Sequence, residues 1–170
     1  ESKDYVFELT KNLQKFGVKR LILADTLGIL SPDETREKVK LMVENFPNVH
    51  FDFHGHNDYG LATANSLAAI SAGAKGLHGT INGLGERAGN THLAEIVAVV
   101  NDKTNFKCRV NEKFINQASQ LVERFSGVRV SPTKPIVGEN IFTQVAGIHA
   151  DGDKKGNLYI AKITSERFGR

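Results

Sequence analysis

The 170 residues carry 22 Lys and Arg against 19 Asp and Glu, for a net charge of +3, with 40% hydrophobic and 24% charged side chains. No apolar run approaches the roughly 20 residues a membrane span needs, no signal segment is visible, and the basic residues are dispersed rather than gathered into a nucleic-acid-binding stripe. The single cysteine, Cys108, has neither a disulfide partner nor a CxxC zinc pattern, so the expected setting is a soluble chain in a reducing cytoplasm.

In chain order, Val6, Leu9, Leu13 and Phe16 recur at helical spacing and Gly17 stops a first helix over 4–16. The apolar run 18–24 predicts a strand that ends in Asp25-Thr26-Leu27-Gly28. Ser31-Pro32-Asp33-Glu34 then offers an N-cap, a proline at the first helical position and the glutamate of a capping box, and the helix runs to about Phe46. A second strand over 49–56, an Ala-rich helix over 61–72 stopped by Gly73, a third strand over 74–81 and a helix over 91–100 complete the alternation. Such short connections call for a parallel sheet with crossover helices. Beyond Lys103 the rhythm stops. A helix over 112–125, the turn-rich Ser131-Pro132-Thr133-Lys134-Pro135 and a polar loop from Asp151 to Asn157 follow, placing a boundary near residue 104.

The most informative segment is Val49-His50-Phe51-Asp52-Phe53-His54-Gly55-His56. Strand alternation puts His50, Asp52, His54 and His56 on one face and Val49, Phe51 and Phe53 on the other. In a barrel the polar face is the interior, and buried polar groups there need partners. His54 and His56, at the carboxyl end of the strand, can aim at one metal ion; two hydrogen-bonded core histidines are the alternative. Gly55 between them permits close approach of substrate or backbone. The later run Gly83-x-Gly85-x-x-Ala88 has the outline of a dinucleotide fingerprint but lacks the acidic residue that a ribose requires. Asn90 either caps the following helix or adds an amide oxygen to a metal shell.

His54-Gly55-His56-Asn57-Asp58 followed by Gly79-Thr80-Ile81-Asn82-Gly-x-Gly-Glu-Arg-Ala-Gly-Asn90 resembles the signature of the isopropylmalate, homocitrate and citramalate synthase family. The resemblance covers residues 20 to 104, and Gly147-Ile148-His149-x-Asp151-Gly152 is similar to the linker subdomain of the same enzymes. It implies an α/β fold: strands six to eight of a (β/α)8 TIM barrel in residues 1–103, with a small helical linker subdomain in 104–170. It also implies a divalent metal ion (Zn, Mn or Mg) held by His54, His56 and Asn90. A further aspartate ligand of the first strand and an acidic residue of the fifth have no counterpart here. Thr26 is implied to bind the carboxylate of a 2-oxo acid. His149 and Tyr159 are implied to act catalytically at a partner's barrel in a homodimer, and Asp151 and Asn157 to bind acetyl-CoA or help move protons. Ala150, where isopropylmalate-forming members usually carry Gln, resembles the citramalate-forming branch, whose 2-oxo acid is pyruvate and whose product feeds isoleucine synthesis; isopropylmalate formation from 2-oxoisovalerate is the alternative. A reading of another class remains, that of a non-catalytic half-barrel binding a metal or a partner.

Overall fold

The computed structural model describes residues 2–143, 151–152, 155–156 and 162–170. The chain divides into two compact units, Glu1–Gly79 with Gly85–Thr91, and Thr80–Leu84 with His92–Arg170.

The first unit runs α1 (Lys3–Lys15), β1 (Arg20–Asp25), α2 (Pro32–Asn45), β2 (His50–Gly55), α3 (Ala62–Ser71) and β3 (Gly76–His78). The three strands form a parallel sheet in the order β1-β2-β3, with Ala24 beside His54 and His78 beside His54 on the other edge. The capping box at the start of α2 forms as expected, Ser31 and Glu34 each binding the other's backbone amide. Phe51 and Phe53 point to the helix-covered face. Phe53 packs with Val39, Ala69 and Ala74, and Phe51 with Met42, Phe46 and Val49. Both rings are almost fully buried, which places about 2–3 kcal/mol of apolar burial per ring behind the register of β2. A one-residue slip would exchange them with the histidines.

The third strand is shorter than the sequence expectation. Residues 74–81 form a strand only over Gly76–His78, because the chain turns into a 3-10 segment, Ile81–Gly83, in which Asn82 has φ +59°. Gly55 also has a different role: a β-carbon there would lie 2.9 Å from the Phe53 ring and 3.6 Å from Thr91 Oγ1, so its bareness serves packing within the fold rather than approach of a substrate.

The second unit contains α4 (Leu93–Lys103), a 3-10 turn at Glu112–Phe114 and α5 (Ile115–Ser126), which Gly127 ends in the left-handed conformation. Its core joins Ala94, Val97 and Ala98 of α4 to Ile115, Ile136, Val137 and Phe168. Asp151, Gly152, Lys155 and Gly156 are helical where the sequence reading expects a loop, with Lys155 Nζ 2.6 Å from Asp151 one turn away. No helix among the described residues is long and apolar enough to cross a membrane.

Arg167 ties this unit together. It donates twice to Glu112, at 2.7 and 2.7 Å, and once to Asp102 at 2.8 Å, and all three side chains are less than one-fifth exposed. These bonds hold both carboxyls below their ordinary pKa. Arg167→Met is therefore expected to lower stability at pH 7 by about 2 kcal/mol, between the values for exposed and buried pairs. Because the folded carboxyl pKa values are depressed, this stabilisation is present above the unfolded values near 4 and is lost as pH falls through the folded ones. Urea titrations of both proteins at pH 7 and 3 check it; an unchanged difference at pH 3 would contradict the assignment.

Candidate functional site

β2 alternates as its sequence dictates, so His50, Asp52 and His54 share the face that the helices leave uncovered. Asp52 is 1% exposed and is neutralised by its neighbours: Arg20 Nε lies at 2.6 Å, His50 Nε2 at 2.9 Å and His78 Nε2 at 3.5 Å. Although burial disfavours the Asp52 charge, the bonds from Arg20 and His50 prevail and hold its pKa below the usual carboxylate value. Gly76 sits opposite Asp52 in the register, and a β-carbon there would overlap the carboxylate. The Arg20, His78 and Gly76 contributions escape sequence reasoning, since nothing local to Asp52 announces them.

At the carboxyl end of β2, His54 Nε2 and His56 Nε2 lie 3.4 Å apart. Asn90 joins them through a short backbone ladder. Asn57 donates to the Gly89 carbonyl at 2.9 Å, Thr91 donates to the Gly55 carbonyl at 3.1 Å, and His56 and Asn90 form an antiparallel bridge. Thr91 is further fixed by Ser66 Oγ at 2.8 Å. Asn90 Nδ2 thereby comes to 3.3 Å from His54 Nε2, and the residue is 7% exposed. Its Oδ1 occupies the space a β-carbon on Gly85 would need, so Gly85 is bare because the amide is there. Asn90 does not cap α4, correcting the simpler expectation: the N-cap is His92, with no side-chain bond to the helix. Asn57 Oδ1 instead accepts from the first amide of α3, Ala62, at 3.1 Å, while Leu61 holds the N-cap position there.

The two histidine nitrogens are spaced as two ligands of one divalent ion would be, whereas Asn90 presents its Nδ2 to His54 and its Oδ1 to Gly85. Two ligating nitrogens at metal distances of about 2.0–2.1 Å in a tetrahedral shell stand about 3.3–3.4 Å apart, which matches the separation seen. Burial, helped by the nearby His56 and His78, lowers the His54 pKa and favours the neutral imidazole that a metal requires. His56 Nδ1 is buried with no partner. Among the described residues no three His, Cys, Asp or Glu side chains gather as a metal cluster, so the set depends on the Asn90 amide and on a ligand from elsewhere.

Thr26 is exposed in the turn after β1, where Asp25, buried at 4%, accepts the Ile29 and Leu30 amides at 3.1 Å each and shapes that turn. Asp151 is exposed and paired with Lys155. His149, Asn157 and Tyr159 lie outside the described residues.

A family profile described as HMGL-like matches residues 1–122. The chain belongs to the HMGL-like family. It is 40% identical over 167 residues to a putative (R)-citramalate synthase of Methanopyrus kandleri, covering 98% of this chain and 33% of the relative. It is 41% identical over 168 residues to a homocitrate synthase of Sulfurisphaera tokodaii, covering 98% and 36%. A probable 2-isopropylmalate synthase of Ignicoccus hospitalis is 39% identical over 167 residues, covering 98% and 42%. The chain thus spans between a third and about two-fifths of the length of these relatives. Among solved structures, the HMG-CoA lyase of Bacillus subtilis superposes with a TM-score of 0.69 at 25% identity, covering 76% of this chain and 45% of that one. An Acinetobacter baumannii HMG-CoA lyase in complex with coenzyme A and 3-methylmalate gives 0.71 at 22% identity, covering 85% and 50%, a likeness of fold alone. The three strands and their helices are accordingly an α/β arrangement of the HMGL-like TIM-barrel type.

Proposed function

We propose that this chain supplies the metal-holding part of an acetyl-CoA-dependent condensing synthase that joins the acetyl group to a small 2-oxo acid. The observation that supports this reading is the approach of His54 Nε2 and His56 Nε2 to 3.4 Å, with the Asn90 side chain beside them through its Nδ2 at 3.3 Å from His54. The names of the synthase relatives point to the same chemistry.

In this reading His54, His56 and Asn90 hold a divalent ion, which when bound supplies a Lewis acid for the keto carbonyl of a chelating 2-oxo acid. His54, kept neutral by burial, presents its Nε2 lone pair without first losing a proton. The Arg20–Asp52–His50–His78 network stands on the same strand face and fixes the side chains on either side of His54. Thr26 is assigned to the carboxylate of the 2-oxo acid. His149 and Tyr159, with Asp151 and Asn157, are assigned to acetyl-CoA binding and proton movement across a homodimer in the cytoplasm. In this reading residues 1–103 are strands six to eight of the barrel and 104–170 a linker subdomain. Ala150, with its likeness to the citramalate-forming branch, favours pyruvate as acceptor and (R)-citramalate as product.

The full-length protein is expected to release CoA thiol from acetyl-CoA with pyruvate faster than with 2-oxoisovalerate or 2-oxoglutarate. Release should stop on chelation and return with Zn, Mn or Mg. Preference for another acceptor would replace the pyruvate assignment, and absence of metal-dependent release with all three would overturn the reading.

A further inference from the structure

The turns that follow β1, β2 and β3 are joined by one side chain. Arg87, after β3, donates through Nε to Asp58 Oδ1 at 2.8 Å and through Nη2 to Asp58 Oδ2 at 3.0 Å, in the turn after β2. The same Nη2 donates at 2.6 Å to the backbone carbonyl of Thr26, in the turn after β1. A single exposed ion pair would carry little weight. This one is a two-point fork that also reaches a backbone acceptor, a geometry that arginine can make and lysine cannot. Arg87 adopts φ +53°, a left-handed backbone that long side chains rarely hold, and the Gly89 amide closes its turn onto the Glu86 carbonyl at 2.8 Å. The turn after β1 is seated as closely: Gly28 has φ +62°, and a β-carbon there would lie 2.7 Å from Asp58 Oδ2 and 2.9 Å from the carbonyl of His56.

Asp58 is two residues from His56, and Arg87 is three from Asn90. We propose that the Arg87–Asp58 pair is a clasp that fastens the three strand-end turns and so positions His56 and Asn90. Both are positioning residues; the second arm of the test rests on the reading of His54, His56 and Asn90 as metal holders.

The test uses Arg87→Gln, Asp58→Asn and the double variant in the full-length protein, with His54→Ala as control. Hydrogen exchange by mass spectrometry over residues 26–30, which neither substitution alters, reads the fastening. Metal affinity from competition with a zinc chelator reads the positioning. Each single variant should raise uptake over 26–30 and weaken metal binding about tenfold, the lower end of the effect of removing an outer partner of a metal ligand. The double variant should be no worse than the weaker single one. Wild-type uptake over 26–30 in both single variants overturns the clasp. Raised uptake with unchanged metal affinity, while His54→Ala loses its metal, overturns the positioning role. If His54→Ala keeps its metal, the metal reading itself fails and the exchange arm alone decides the clasp. Should Arg87→Gln not fold, the nearly isosteric Asp58→Asn carries both arms.

Discussion

His54→Ala in the full-length protein is expected to abolish metal retention, with affinity at least about 100-fold weaker, and to remove metal-dependent activity with it. The size follows from how few donors the chain provides. In the proposed reading two imidazole nitrogens 3.4 Å apart chelate the ion, and without His54 the remaining His56 and Asn90 offer one nitrogen and one amide. Loss of a mere outer partner already costs about 10–100-fold, so loss of a ligand exceeds it. The fold should survive, because His54 is half-buried on the face that the helices do not cover, while Phe51 and Phe53 hold β2 from the other side. Elemental analysis per protomer after gel filtration, alongside circular dichroism, separates metal loss from unfolding. Wild-type stoichiometry in the variant would sink the assignment.

A second large effect is expected at His92, which no part of the proposed chemistry uses. It is 2% exposed, and neither ring nitrogen has a hydrogen-bond partner among the described residues. Burial, outweighing the nearby Glu95 and assisted by Lys134, depresses its pKa from 6.5 to about 4. The unfolded chain therefore binds a proton between those values that the folded one does not, and stability falls as pH drops from 6.5 towards 4. The linked loss approaches about 3 kcal/mol by pH 4. His92→Leu, similar in volume and without unpaired nitrogens, should match or exceed wild-type stability at pH 7 and lack this part of the acid sensitivity. Urea unfolding at several pH values measures both slopes. Parallel slopes for the two proteins would refute the account.

Much of the site is visible in the residues alone because strand periodicity is strict. The alternation through His50, Asp52, His54 and His56 fixes a shared face, and Phe51 and Phe53, interleaved with the first three, name the opposite one. Asn90 is different. Its approach depends on residues 89–91 pairing with 55–57, a contact with no local signature, and a helix cap was the simpler expectation from its position before an apolar run. The ion pairs Arg20–Asp52 and Arg87–Asp58 span 32 and 29 residues, and any of several arginines could have served. The shortness of β3 was equally hidden: the expected strand continues to Ile81, but the backbone leaves the sheet after His78, towards a left-handed Asn82.

The run His54-Gly55-His56-Asn57-Asp58 reads as a chemical signature, yet its members have separate duties. Gly55 leaves room for Phe53 and Thr91, Asn57 accepts the first amide of α3, and Asp58 receives Arg87. Three of five letters would thus be retained by a descendant that had abandoned the reaction and kept only the scaffold. When this pentapeptide is met in another chain, its two histidines carry information about chemistry, while the glycine, asparagine and aspartate testify to architecture. A copy that preserves those three and replaces either histidine is a folded homologue to be assayed for something else.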